Sequence, residues 1–92
     1  MPLNESTIFE IAHHYRFQWE PAQQMHVLLY PEGMVQLPGS SGEILKRVNG
    51  ASTVGEIIAD LESAFPGAEL RGDVMEFLEV AHGKGWIRTK EA

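Results

Sequence analysis

Hydrophobic residues first alternate with polar residues along this chain and later recur at a helical spacing. In residues 15–20 an aromatic side chain occupies every second position, a period of two that is typical of a half-buried strand. Met25–Tyr30 is a nearly continuous apolar run, which predicts the central strand of a small sheet. Residues 31–33 form a turn whose glycine can take a positive φ, and residues 34–37 form a short third strand. The pattern predicts an antiparallel meander of three strands.

From Ser40 onward the apolar residues recur every three or four positions, which predicts three helices. Each helix has a short polar acceptor three residues before a glutamate, the spacing of a capping box. These pairs are Ser40 with Glu43, Thr53 with Glu56, and Asp73 with Glu76. The stripes end at Asn49-Gly50, before Pro66-Gly67, and at Gly83 or Gly85, after which Trp86 and Ile87 supply an apolar anchor for the tail.

This order of elements predicts one α+β domain of βββααα topology over residues 1–92. Residues 1–12 show only weak patterning around Ile8, Phe9 and Ile11. We expect this segment to be an arm, either a short helix or a loosely held terminus. No internal repeat and no second domain is visible in the sequence.

Composition and charge narrow the classes of function. The chain is 43% hydrophobic and 22% charged, which is ordinary for a globular protein. Its formal net charge of −6 disfavours nucleic acids and anionic membranes as partners. It has no cysteine, no apolar run of the ~20 residues that a membrane span needs, and no signal-peptide pattern at its start. We expect a cytoplasmic protein with no membrane association.

Residues that could carry chemistry are few and poorly spaced. His13 and His14 are adjacent, and neighbouring residues on a strand point to opposite faces, so the pair is a poor chelator. The helices contain no His-x-x-x-His or Glu-x-x-His spacing. The serines lie in no nucleophile motif and the glycines form no phosphate-binding loop. We expect no catalytic residue, no metal site and no cofactor in this chain.

The third strand is the feature that indicates a function. The outer strands of a meander expose unpaired N–H and C=O groups, and proteins usually protect such edges with charged residues. Residues 34–37 carry no charge, and they lead directly into the helical half of the domain. An extended peptide could add beside them as a fourth strand, with its side chains between the sheet and a helix. The same edge could instead be covered by the N-terminal arm or by a second copy of the chain.

Several segments resemble the pyrroloquinoline quinone (PQQ) biosynthesis protein D family. The resemblance runs from about Tyr15 to Arg88, and its most specific part is the Leu-Leu-Tyr-Pro-Glu-Gly block of residues 28–33. It also includes Arg16-Phe17-Gln18-Trp19-Glu20, Gly42-Glu43-Ile44-Leu45, Thr53-Val54-Gly55-Glu56-Ile57, Asp73-Val74 with Phe77-Leu78, and Gly85-Trp86. One departure is Pro38-Gly39, where the family commonly has an asparagine after the leucine. Proline has no N–H to donate, so strand pairing should end there.

The resemblance implies a small winged-helix-like domain, a three-stranded antiparallel sheet followed by three helices, that recognises a precursor peptide. In that family the protein is a peptide chaperone. It binds the ribosomal precursor of PQQ and presents it to a radical S-adenosylmethionine enzyme, which crosslinks a Glu and a Tyr of the peptide. The iron–sulfur chemistry belongs to that partner. Carried onto this chain, the peptide would lie along the third strand and against the third helix, on Met34, Val35, Gln36, Leu37, Asp73, Val74, Met75, Leu78 and His82.

Two other functions remain open at this point. The chain could be a structural scaffold that forms a homodimer through its edge strand. A winged-helix nucleic-acid binder is the third interpretation, but residues 71–84 carry three acidic side chains and only two basic ones, at the ends of the segment.

Overall fold

The structure, a computed structural model, describes residues 4–90 of the chain. Its elements follow one another as β1 (Phe9–Ile11), β2 (Arg16–Glu20), β3 (Met25–Tyr30), β4 (Gly33–Leu37), α1 (Ser40–Lys46), α2 (Val54–Ala64), α3 (Arg71–Gly83) and β5 (Ile87–Thr89). The predicted α+β fold is confirmed, with a three-stranded antiparallel sheet followed by three helices. Two short strands, β1 and β5, were not predicted. Within residues 4–90, no helix is long and apolar enough to cross a membrane.

The larger sheet has the order β2-β3-β4, so β3 is central and β2 and β4 are the edges. Tyr30 pairs with Gly33 across the two-residue turn, which sets the register of β4. Gly33, which is able to take a positive φ, does not take one in this turn. A Cβ atom there would lie 3.2 Å from the Tyr30 hydroxyl oxygen, so the position is restricted by the neighbouring ring. The left-handed residue of the meander is Gln24, in the turn before β3.

The two faces of this sheet differ because side chains alternate along each strand. Phe17, Leu28 and Val35 are aligned across the three strands, and Leu28 is fully buried in the main core. Their face therefore packs on the helices. The opposite face carries the row Arg16, Leu29 and Met34.

The N-terminal segment forms part of the fold, which corrects the prediction of a helical or loosely held arm. β1 pairs antiparallel with β5, placing Ile11 opposite Ile87. Phe9 is 1% exposed and belongs to the core. The alternation at Ile8, Phe9 and Ile11 is too short to be distinguished by pattern from a helical turn. Residues 1–3 of the predicted arm lie outside the described residues.

Backbone hydrogen bonds join this segment to three other parts of the chain. The Thr7 carbonyl accepts from Val54 N–H (2.9 Å), at the start of α2. The Ile8 carbonyl accepts from Lys90 N–H (2.8 Å), and the Phe9 carbonyl accepts from Gly50 N–H (3.0 Å). Residues 7–9 therefore hold the α1–α2 loop, the start of α2 and the C-terminal strand together.

The helices pack their apolar stripes on the inner sheet face and on β1 and β5. Every side chain that is buried in the described residues is apolar, as the sequence pattern predicts. The core residues of the three helices, together with Val48 just after α1, are Ile44, Leu45, Val48, Val54, Ile57, Ile58, Leu61, Val74, Leu78 and Ala81.

Only one of the three predicted capping boxes is present. In α2 the Thr53 side chain accepts from Glu56 N–H (3.1 Å), and the Glu56 carboxylate accepts from Thr53 N–H (2.8 Å). In α1 the prediction is wrong, because the N-cap is Gly39 and Ser40 is already helical. Gly39 has φ 60° and ψ −130°, a conformation that turns the chain from β4 into the helix and that favours glycine.

The capping box predicted at the start of α3 is also wrong. α3 begins at Arg71, two residues before Asp73, and its N-cap is Leu70. The Leu70 N–H donates to Glu62 Oε2 on α2 (3.1 Å), and the Leu70 carbonyl accepts from Val74 N–H (2.8 Å). A contact with a neighbouring helix, invisible in a local pattern, therefore sets this helix start.

Candidate functional site

The β4 strand forms an open edge of the sheet. β3 is its partner on one side, and no other strand pairs with it among residues 4–90. Alternate residues of an edge strand point their N–H and C=O groups outward. The Met34 side chain is 40% exposed, and Gln36 is also exposed. The predicted unpaired, uncharged edge strand is thus present.

The four predicted β4 residues do not share one face. Val35 lies on the helix side and is partly buried against the core. Leu37 is on the same side and buried. Met34 and Gln36 point to the opposite face, where the Gln36 amide donates to the Gln23 side chain (2.7 Å). A peptide added beside β4 would therefore have Val35 as its side-chain neighbour on the helix side, and the other residues would contribute mainly backbone groups and outer-face contacts.

An apolar cleft opens where β4 ends. Gly39, two residues after β4, forms part of its wall, and two residues of extended chain span at most about 7 Å. The cleft has a volume of about 550 Å³, within the usual range for ligand sites. We call it the three-helix cleft, since residues of α1, α2 and α3 line it together with two loops. The lining residues are Gly39, Ser40, Glu43, Ile44, Leu61, Phe65, Ala68, Leu70, Asp73 and Val74.

The floor and the wall of the cleft have different character. Ile44, Leu61 and Val74 are each no more than 3% exposed, and they form an apolar floor. Phe65, at the C-terminal end of α2, is 47% exposed, which is unusual for so large an apolar residue. The cleft can therefore bury an apolar group of a ligand and cover more of the Phe65 ring.

The charged residues lining the cleft are both acidic, Glu43 and Asp73. A hydrogen bond from Arg47 Nη1 to Glu43 Oε1 (3.0 Å) holds the pKa of Glu43 below its ordinary value, against the opposing effect of burial. Arg47 also donates to the carboxylate of Asp60, which does not line the cleft. Within the described residues, no side-chain hydrogen bond or ion pair engages Asp73.

The predicted α3 residues fall into three groups. Asp73 and Val74 line the three-helix cleft. Leu78 is fully buried, so it supports the helix from the core and has no surface for a ligand.

Met75 and His82 lie on the other flank of α3. The His82 ring packs against Phe9 of β1, with ring centroids 5.4 Å apart. Arg71, four residues before Met75 and therefore on the same flank, forms an ion pair with Glu5. Asp73 is displaced by about 200° around the helix from Met75. The structure therefore brings Met75 and His82 toward the N-terminal segment and not into the cleft with Asp73.

The sequence reasoning missed several cleft residues. In the sequence, Ile44 and Leu61 belong to the apolar stripes of α1 and α2, which predict core residues. Phe65 is the last residue of the α2 stripe. Phe77 shares the flank of Asp73 at the i, i+4 spacing and is partly buried, and Val80 beyond it is 46% exposed. The sequence holds no local signal for this cleft, because Phe65 continues the apolar stripe of α2 and neither Phe77 nor Val80 lines the cleft.

The adjacent histidines lie in the turn between β1 and β2 and not in a strand. Their ring centroids are 4.0 Å apart, so the expectation that they point to opposite faces is wrong. His13 Nδ1 lies 3.4 Å from the Arg88 guanidinium. This positive charge opposes the binding of a cation beside that ring.

A family model and two relatives each match most of this chain. A family model described as coenzyme PQQ synthesis protein D (PqqD) matches residues 25–87. A PqqA binding protein of Stutzerimonas stutzeri is 52% identical over 77 residues, which are 83% of this chain and 84% of that protein. A PqqA binding protein of Azotobacter vinelandii is 47% identical over 89 residues, 92% of this chain and 97% of that protein.

One solved structure shares the fold. It is the solution NMR structure of the PqqD truncation of Methylobacterium extorquens PqqCD, described as a stand-alone RiPP recognition element. The TM-score is 0.76, the alignment covers 94% of both chains, and the sequences are 24% identical.

Proposed function

This chain is a member of the coenzyme PQQ synthesis protein D family, and we propose that it binds the ribosomal precursor peptide of PQQ. Relatives about 50% identical to this chain are named PqqA binding proteins. We propose that this chain binds the corresponding peptide. The observation that carries the proposal is the unpaired β4 edge together with the three-helix cleft, whose lining begins at Gly39, two residues after the strand.

The peptide binds as an added strand beside β4 and inserts an apolar side chain into the cleft. Three or four backbone hydrogen bonds contribute about 0.5–1.5 kcal/mol each. One or two buried apolar anchors contribute about 1.5–3 kcal/mol each. The cost of ordering the peptide and of association offsets part of this, so we expect a Kd near the micromolar range, about −8 kcal/mol.

We infer that the chain is a carrier and catalyses no step itself. It presents the bound peptide in the cytoplasm to a radical S-adenosylmethionine enzyme, which forms the Glu–Tyr crosslink. Two features support this division of roles: the relatives are named for binding, and the site consists of an edge strand and an apolar cleft. The single domain of residues 1–92 serves this one task.

A homodimer through β4 is the alternative use of the same surface. It is favoured by the same open edge, because two copies can pair their β4 strands. Dimerisation and peptide binding would then compete. Sedimentation across a concentration series, with and without peptide, measures this competition directly.

The experiment that tests peptide binding is an amide NMR titration with a synthetic precursor peptide of PQQ. We expect saturable shifts in β4 and in the cleft residues on α1 and α3. Hydrogen exchange should show new protection at alternate β4 amides, because only those N–H groups point outward. Equal protection of all β4 amides, or none, contradicts strand addition.

A matched pair of variants tests the cleft. Ala68 lines it, whereas Ala59 is exposed on α2 outside it. Ala68→Trp should fill the cleft and weaken binding about ten-fold or more, since an anchor of ~1.5–3 kcal/mol is excluded. Ala59→Trp should leave the Kd unchanged. Equal affinity of both variants for the peptide contradicts a role for the cleft.

A further inference from the structure

The charges of the three-helix cleft determine which peptide segment it accepts. Glu43 and Asp73 are the charged residues of its lining, and the neighbouring Arg47 is paired with Glu43 and Asp60. The floor below them is apolar. This arrangement combines an apolar pocket with a negative rim, and a ligand complementary to it joins a bulky apolar group to a cation.

We propose that the cleft selects a segment in which a large apolar side chain stands within two positions of a lysine or arginine, with Asp73 accepting the cationic group. This rests on the proposed peptide binding and extends it from an open strand edge to a sequence preference. Backbone pairing along β4 is the same for any peptide sequence, because main-chain groups are common to all residues. The cleft is therefore where one peptide can be distinguished from another.

Asp73 suits this role better than Glu43. Glu43 already accepts from Arg47 at 3.0 Å, so its charge is partly balanced within the protein. Asp73 stands in the first turn of α3, and among the described residues no side chain pairs with it. Val74, its neighbour, forms part of the floor. A cation at Asp73 is thus adjacent to the apolar group that the floor receives.

The expected contributions differ in size. Burial of a bulky apolar side chain is worth about 1.5–3 kcal/mol, so its replacement by alanine should weaken binding roughly ten-fold or more. A partly exposed ion pair is worth up to about 1 kcal/mol, which corresponds to a roughly five-fold change in Kd. Replacement of the basic residue by glutamine should weaken binding roughly two- to five-fold, and high salt should reduce this effect.

The test is a double-mutant cycle in fluorescence anisotropy. The probes are the labelled synthetic precursor peptide and versions in which each Lys or Arg is replaced by Gln and each large apolar residue by Ala. The protein variants are Asp73→Asn and the matched control Glu76→Gln. Glu76 is exposed on the same helix, and it does not line the cleft. Each variant removes one negative charge.

Replacement of one basic residue of the peptide by Gln should raise the Kd about two- to five-fold for the unchanged protein and for Glu76→Gln. The same replacement should raise the Kd less than about 1.5-fold for Asp73→Asn. The apolar residue with the largest loss should lie within two positions of it. If the precursor binds but no Lys or Arg substitution couples to Asp73, the selectivity is overturned and peptide binding stands. If the basic residue that couples to Asp73 and the apolar residue with the largest loss lie more than two positions apart, the proposed selectivity is also overturned. If the precursor does not bind at millimolar concentration, both proposals fail.

Discussion

Replacement of Phe9 by alanine should be one of the most damaging single substitutions in this protein. The weak patterning of residues 1–12 suggests a dispensable arm, whereas the structure buries Phe9 to 1% exposure beneath His82 of α3. Phe65 provides a matched control, because the same change removes the same atoms from a side chain that is 47% exposed.

The magnitude follows from burial. Removal of a buried Phe side chain costs about 3–5 kcal/mol, as lost transfer free energy plus a cavity. A domain of 92 residues has a total stability of roughly 5–14 kcal/mol. Phe9→Ala should therefore remove a large part of the free energy of unfolding and lower Tm by at least about 12 °C. Phe65→Ala should cost only ~1 kcal/mol, since half of its surface is already in water.

The assay is urea unfolding followed by circular dichroism, together with peptide binding at a temperature where both variants are folded. We expect opposite rankings in the two measurements. Phe9→Ala should lose stability and keep its peptide Kd, because Phe9 does not line the cleft. Phe65→Ala should keep stability and bind several-fold more weakly, because Phe65 forms the cleft wall.

Two results would refute this reasoning. If Phe9→Ala costs less than about 1 kcal/mol, β1 is detachable and the β1–β5 sheet is not part of the cooperative fold. If Phe65→Ala lowers the free energy of unfolding as much as Phe9→Ala does, burial does not explain the difference expected between the two positions. A changed m-value would indicate that the denatured state has also changed.

Five further substitutions test the local structure. Thr53→Ala should cost about 1 kcal/mol in urea unfolding, because it removes the capping box, whereas Ser40→Ala should be close to neutral, since its side chain makes no cap bond. Gly42→Ala should be destabilising by about 1 kcal/mol or more, because a Cβ would lie 2.9 Å from the last carbonyl oxygen of β4, whereas Gly72→Ala has open space and should be neutral or stabilising. Glu43 has a pKa lowered from 4.5 in the folded state, so its ion pair stabilises the fold above that pH and is lost as pH falls through the lower folded value. Glu43→Gln should therefore reduce stability at pH 7 and match the unchanged protein in strongly acid solution; a difference that persists there would contradict the ion-pair explanation.

The candidate site was only partly predictable. The absence of charge in residues 34–37 identified the edge strand, because an uncharged edge is visible in the sequence. The cleft was not predictable, because it forms where three helix ends meet. Val74 and Leu78 share one stripe in the sequence, yet Val74 lines the cleft and Leu78 has no exposed surface.

The sequence alone determined the elements with strong periodicity. β3 has the predicted bounds, α2 has its predicted capping box, and every described buried side chain is apolar. Such features depend on residues close together in the chain. They can therefore be predicted from hydrophobic periodicity, turn residues and capping residues. The family was likewise evident from the Leu-Leu-Tyr-Pro-Glu-Gly block.

Only the tertiary structure decided the features that depend on residues far apart in the chain. Phe9 becomes a core residue because β5, nearly eighty positions later, pairs with its strand. α3 begins at Arg71 because Glu62 of α2 accepts the preceding N–H. Met75 and Asp73 lie on opposite flanks of α3, and which flank meets the cleft depends on how the helix packs. These contacts have no local signature, since their free energy arises only when the distant partner is in place.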